Sequence, residues 1–562
     1  MFDRTGHLVG KRERFINDML ASMSVAEQLG QLITIEADID LADLVGLANR
    51  IRRDRIGGIK LVRAAAHHAP VLSALQRVSV QETRLGIPLA IAFDASHGVL
   101  TKFPDLMGLA ATWDPRLVEN AMRIIALEAA SIGINRLELG ETRLSNLEPL
   151  LQRHMVRAIE RGLGQFVAPL GGDDRIIVTN LCERLGSPAG VRRDFTIADA
   201  LLRLRQGAAT RTEVERGVRA VLGGKDAGGL FEQPHRKLPI PANLKDVGRE
   251  IAVECFKRSI VLLKNDEGLL PLAREYGIAI FELHATTVGN DLTKRLDQQG
   301  FGVRRLMVEP SETSLSNSRK GLAISTRQPA ANEITLLLVS GPTISLPERW
   351  MLAQLSTAGR KTCLVMMGEL PPDCRGVEAR ATAIMFAPGR GEFAGSGIAD
   401  LLTGRVPGSG QLPRIVHTDS GAWTPGHNCL RFRPTINSTR IRSTLTGFVL
   451  TVSIENRTHD TSHAVLSLFH TRTNKKDGKL IAFAPLTLIA KNQQTIDIEI
   501  EWRDLEQGER LDSAHAEGSW SSVAVGFGSS RSVGVELFVS AGRPKASSHP
   551  PAVGSSQNGR GQ

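Results

Sequence analysis

Aromatic rings are scarce in this sequence. Phe, Trp and Tyr make up 4% of its 562 residues, and there is a single Tyr. A ligand cleft lined with stacked rings, as sugar-binding clefts usually are, has little material to draw on. Cysteine is scarce as well. The five residues, Cys182, Cys255, Cys363, Cys374 and Cys429, are odd in number and never spaced as CxxC. That pattern argues against a disulfide framework and a zinc site, and it fits a reducing compartment. No uninterrupted apolar run is long enough to span a bilayer, so no membrane partner is expected. The opening stretch, MFDRTGHLVGKRERF, lacks the apolar centre of a signal peptide, and the expected location is cytoplasmic.

What is present is ordinary soluble material: 42% hydrophobic and 23% charged residues. The formal charge is +10 and the pI about 9.6. Lys and Arg are scattered, however, and the densest cluster, Arg50 to Arg55, is interrupted by Ile51 and Asp54. It reads as the solvated face of a helix, so no nucleic-acid partner is expected.

The length calls for two or three domains. From 20 to 235, apolar strand-like runs (57–62, 87–93, 175–180) alternate with amphipathic stretches (115–131, 147–162, 211–224), the pattern of a parallel α/β domain. Ser24 and Glu27 form a capping box ahead of what reads as the first helix. A polar, Pro-containing linker (232–243) leads to a second α/β unit, with strands expected at 278–283, 334–340, 362–367 and 381–389 and a helix at 347–358. Beyond a Gly/Pro/Ser-rich linker from Arg405 to about Leu430, the period becomes two, which predicts a small antiparallel sandwich. The final residues, 542–562, are polar and Pro/Gly/Ser-rich, and are expected to be disordered.

Ile87 to Val118 carries the most information. An apolar run stops at Asp94, His97 and Gly98 follow, then Phe103-Pro104, then a helix opened by Asp114-Pro115. Functional groups of α/β barrels sit where strands end, so Asp94 and His97 are placed like site residues. Read from the residues alone, such an Asp is as often a turn or cap. The segment Asp94-Ala95-Ser96-His97-Gly98 resembles the D-x-x-H-G substrate-binding segment of glycoside hydrolase family 3 β-glucosidases. Blocks at 23–33, 111–134, 214–234, 251–272 and 387–413 resemble the same family in the same order. The glycines from Gly389 to Gly397 lack the Gly-Lys-Ser/Thr ending of a P-loop, which argues against a phosphate cradle.

The resemblance implies a (β/α)8-type barrel, complete or with strands missing (1–235), an α/β sandwich (244–416) and a fibronectin-III-like β-sandwich (430–541). It also implies retaining hydrolysis of terminal β-linked glycosyl residues by two carboxyl groups. It gives Asp94 and His97 the role of binding a small glycoside or oligosaccharide, and it calls for no cofactor and no metal. The nucleophile position, however, falls on Asn180, and an amide has no charge with which to attack. Asp194 is a weaker alternative, and Asp173 and Asp174 precede the strand, on the wrong end for a barrel. Of the family's further sugar-binding segments, one is reduced to GETRLS, with Arg143 a poor substitute, and the other is missing. Neither Glu348, in a helix-opening segment, nor Glu369 is a convincing acid. Two readings follow: a β-glucosidase-like enzyme with impaired catalysis, or a non-catalytic carbohydrate-binding or regulatory protein on the same scaffold.

Overall fold

The computed structural model describes residues 4–139, 141–164, 181, 196–235, 240–283, 285–307, 333–389, 393–429, 434–444, 446–472, 479–501, 519–527 and 530–539. The architecture is an α/β fold with parallel sheets and further β-sheets. It divides into two compact units.

The first unit begins with a helix, Arg4–Ser22, ahead of the one expected to be first. The capping box then opens helix Val25–Leu32, with Ser24 and Glu27 bonded reciprocally. Four parallel strands follow in sequential order: β1 (Thr34–Ala37), β2 (Gly58–Leu61), β3 (Ala90–Asp94) and β4 (Arg136–Glu138). Each returns through a helix, since parallel neighbours need a crossover. The strand expected at 87–93 starts three residues later and takes in Asp94 as its last residue. The strand expected at 175–180 lies outside the described residues.

Alternation of side chains gives this sheet two unlike faces. Ile35, Ile59 and Ile91 share one rung, Ala37, Leu61 and Phe93 another, and all six are buried. Glu36, Lys60, Ala92 and Arg136 share the rung between them and belong to the opposite face.

Two buried ionisable groups in this unit make testable contributions. Glu27 accepts from Arg84 Nη2 at 2.6 Å and from the backbone N and Oγ of Ser24 at 2.9 and 3.0 Å. The Arg84 hydrogen bond leads in lowering its carboxyl to about 2, against the opposing effect of burial. Arg84 is half exposed and can be solvated when its partner is removed, so Glu27→Ala is expected to lose mainly the cap and its charge-assisted bonds, ~1–2 kcal/mol in urea unfolding at pH 7. A carboxyl lowered on folding stabilises above its unfolded value and loses that contribution as pH falls through its folded value. The wild-type advantage is therefore expected to shrink between about pH 4.5 and pH 2.

Lys225, on helix Arg211–Ala227, is 3% exposed and donates to Gln31 Oε1 at 2.7 Å. Burial, with a smaller push from Arg136, lowers its ammonium to about 7. Between about 7 and 10.5 the unfolded chain holds this proton and the folded chain does not, so stability rises with pH. Wild-type stability relative to Lys225→Met is expected to climb across that window, by at most ~1.4 kcal/mol per pH unit. A flat difference in denaturant titrations at pH 7 and 9 would contradict this.

The second unit holds a six-stranded sheet in the order β5 (Val261–Asn265), β10 (Ala383–Pro388), β9 (Thr362–Gly368), β8 (Glu333–Ser340), β6 (Gly277–Glu282) and β7 (Val303–Met307). Only the β5–β10 pairing is antiparallel. Both faces are covered, which is why these strands read as unbroken apolar runs. Ile278, Leu336 and Val365 pack toward helices Thr287–Gln298 and Ala394–Leu402, while Ala279, Leu337 and Leu364 pack toward helix Leu346–Thr357. Gly395 of the rejected phosphate cradle serves this packing. A Cβ on Gly395 would sit 2.6 Å from the Val288 carbonyl oxygen, so only glycine lets the two helices approach this closely.

A two-stranded antiparallel sheet, β11 (Val416–Thr418) with β12 (Gly421–Trp423), and two larger antiparallel sheets complete the unit. One runs β13 (Thr435–Ser443), β14 (Gly447–Asn456), β17 (Asn492–Glu501), and the other β16 (Lys479–Leu488), β15 (Ser462–Arg472), β18 (Ser519–Phe527), β19 (Ser530–Val539). Phe448, Leu450, Val452, Leu466, Leu468, Ile500 and Val525 form the core they share. No disulfide forms among the described residues, and burial pushes the Cys363 and Cys374 thiols up to about 12.

Candidate functional site

β3 delivers Asp94 at its C-terminal end, exposed, in register with Glu138 of β4. Both belong to the polar face of the sheet, two residues beyond the rung of Lys60, Ala92 and Arg136. Ala92 between them has only a methyl, and Lys60 reaches past it to Glu138, with Nζ 2.8 Å from Oε2. Arg136 lies 3.9 Å from the other Glu138 oxygen. Asp94 Oδ1 accepts from the Ser96 backbone N at 3.0 Å and from its hydroxyl at 2.6 Å. Partial burial pushes the Asp94 carboxyl up, but these two bonds, with Lys60 and His97 nearby, hold it below its ordinary value. Asp94 is thus an exposed anion with unused acceptor capacity, suited to hydroxyl donors.

The loop after Asp94 is held by its own backbone and by one buried carboxylate. Gly98 has φ +84°, and a Cβ there would lie 2.1 Å from the Thr101 carbonyl oxygen, so the turn requires glycine. Phe103 N donates to His97 O at 3.1 Å, and Phe103 is 1% exposed. Glu128, 2% exposed on helix Pro115–Ile132, accepts from the backbone N–H groups of Leu100 and Thr101, both at 2.9 Å. His97 itself is half-buried beside Asp94.

The other candidates fare differently. Asn180, Asp194, Asp173 and Asp174 lie outside the described residues, and so does the side chain of Arg143. Glu348 is 6% exposed and caps helix Leu346–Thr357: its Oε2 accepts from the Ser345 backbone N and hydroxyl, both at 2.7 Å. Glu369 directly follows β9 and is half-buried. The described residues contain one grouping fit to hold a metal ion: Asp40, His67 and His68.

Two domain profiles of one family match the chain in order. The Glycosyl hydrolase family 3 N terminal domain matches residues 24–137, and the Glycosyl hydrolase family 3 C-terminal domain matches residues 260–435. The chain belongs to glycoside hydrolase family 3. A periplasmic β-glucosidase of Salmonella typhimurium is 32% identical over 124 residues, which is 22% of this chain and 16% of that protein. Among solved structures, a β-glucosidase from Listeria innocua in complex with isofagomine is similar over 94% of this chain and 99% of its own (16% identity, TM-score 0.65). A β-glucosidase from Erythrobacter marinus is similar over 94% and 98% (16% identity, TM-score 0.69). At these identities the structures establish a shared fold.

Of the residues brought together here, Asp94 and His97 were nominated by the motif alone. Lys60, Arg136, Glu138 and Glu128 were not. The signal for the first three was faint: charged residues alternating with apolar ones in IKL and RLEL. Their meeting depends on strand register, which no local pattern specifies.

Proposed function

We propose that this family 3 protein uses a β-glucosidase-type scaffold to hold a small glycoside through Asp94 and His97, and that it hydrolyses the glycoside poorly. The observation that carries this reading is Asp94: an exposed carboxylate held below its ordinary pKa at the C-terminal end of a parallel strand, within the family's D-x-x-H-G pattern. Retaining hydrolysis needs a nucleophile and an acid flanking the glycosidic bond. The resemblance assigns the first role to the position of Asn180. Glu348, the first candidate for the second, caps a helix, and Glu138 is tied to Lys60. In architecture, the proposal takes 1–235 as the barrel, 244–416 as the α/β sandwich, 430–541 as a fibronectin-III-like sandwich and 542–562 as a tail.

The ligand class draws support from relatives: Listeria innocua β-glucosidase was solved with glucose, and a mutant of that enzyme with laminaribiose. The engagement of Glu138 by Lys60 also favours a second reading, a binding or regulatory module without turnover. Titration calorimetry with methyl β-glucoside, followed by product analysis, tests both. Saturable binding with the glycoside recovered largely intact is expected, and absence of binding would overturn both.

A further inference from the structure

We propose that Asp40, His67 and His68 form a binding site for one divalent transition-metal ion of the zinc class, on the loops that follow β1 and β2. The family reading called for no metal, and cysteine spacing argued against zinc. The ligands here come from two loops and no cysteine is involved. Asp40 lies three residues past the end of β1, and the two histidines immediately precede helix Ala69–Gln81, which follows β2.

Both rings aim Nε2 at the same oxygen. Asp40 Oδ1 is 2.7 Å from His67 Nε2 and 3.0 Å from His68 Nε2, and the three ligand atoms all lie within 4.8 Å of one another. A tetrahedral zinc centre with bonds of ~2.0–2.2 Å sets its ligand atoms ~3.3–3.5 Å apart, so separations of a few tenths of an ångström more would seat the ion. The rings meet edge to face, with centroids 4.6 Å apart and planes at 81°, so the two Nε2 atoms converge without stacking.

One ligand is fixed and two are open. The His68 side chain is 0% exposed, whereas those of His67 and Asp40 are 70% and 33% exposed, which provides an entry path. Arg63 Nη2 grips both oxygens of Asp38, at 3.0 and 2.8 Å, and Asp38 Oδ1 accepts from the Asp40 backbone N at 3.3 Å. That pairing shapes the loop that presents Asp40. It leaves two carboxylates against one guanidinium, a net negative charge to receive a cation. Two imidazoles and one carboxylate select zinc, copper or nickel over magnesium or calcium, which take oxygen ligands.

Three protein ligands leave one position for water. His68 Nδ1 has no hydrogen-bond partner among the described residues. Metal-bound histidines usually donate their other N–H to an acceptor, and losing that support typically costs ~10–100-fold in affinity. Binding is therefore expected to be ~10–100-fold weaker than at a centre whose histidines are all so supported.

The test is calorimetric titration of the full chain with zinc chloride, with calcium chloride as control and cobalt(II) absorption as a second readout. His67→Ala and Asp40→Asn change exposed side chains, so both are expected to fold, as circular dichroism will check. The proposal expects one zinc equivalent, no calcium binding, a visible cobalt band, and at least tenfold weaker zinc binding in each variant. No stoichiometric binding, or binding that both variants leave unchanged, would overturn it.

Discussion

Hydrolysis of a chromogenic aryl β-glucoside is expected to run at least ~10⁴-fold below the rate of an intact retaining site, and aryl release by Asn180→Ala is expected to rise when azide or formate is supplied. The loss corresponds to ~5 kcal/mol and upward, the usual cost of removing a covalent nucleophile. Asn180 stands where the family resemblance expects an aspartate, and its amide can neither attack nor stabilise an oxocarbenium-like transition state. An aryl leaving group needs little protonation, so a missing acid alone would leave turnover in place. Asn180→Ala vacates the space in which a small external anion can stand in for the absent carboxylate. Brisk turnover that survives Asn180→Ala and disappears in Asp194→Ala would instead put the nucleophile at Asp194.

Asp94→Ala is expected to weaken glycoside binding by on the order of 10²-fold or more, read as Kd by calorimetry. Hydrogen bonds from ligand hydroxyls to a charged acceptor are worth ~1.5–3 kcal/mol each, and a carboxylate can accept two at once. Glu138 cannot replace it, because Lys60 and Arg136 already engage its oxygens. Asp94→Asn keeps the shape and loses the charge, so an intermediate loss is expected. Unchanged affinity in both variants would place the ligand elsewhere.

Much of the fold was legible because its strands obey simple periods. β8 and β9 are buried on both faces and read as unbroken apolar runs, while β17 alternates as a half-buried antiparallel strand does. Three of the strands that escaped show clear physical reasons. β1 and β4 are four and three residues long, too short to display a period. β16 contains Pro485, which argues against a strand in sequence. It is tolerated here because β16 is the edge of its sheet and pairs only with β15. Helix Arg4–Ser22 was missed because a strong capping signal at Ser24 drew the start of helical structure past it.

The site was legible in proportion to its locality. Asp94, His97 and Gly98 sit within five residues, so one motif captures them. Glu128 supports their loop from a helix nearly thirty residues on, and Lys60 meets Glu138 across an intervening strand. Asp40 meets His67 and His68 only because β1 and β2 are neighbours in the sheet. Contacts of that kind are created by topology and leave no local trace.

Binding of a glycoside through Asp94 without efficient cleavage can be read in a single experiment. The wild-type chain is incubated with methyl β-glucoside in the calorimeter, and the solution is then assayed for free glucose. A saturable heat of binding that Asp94→Ala removes is expected, with the glycoside recovered essentially intact. Rapid release of glucose, or no heat at any concentration, would contradict it.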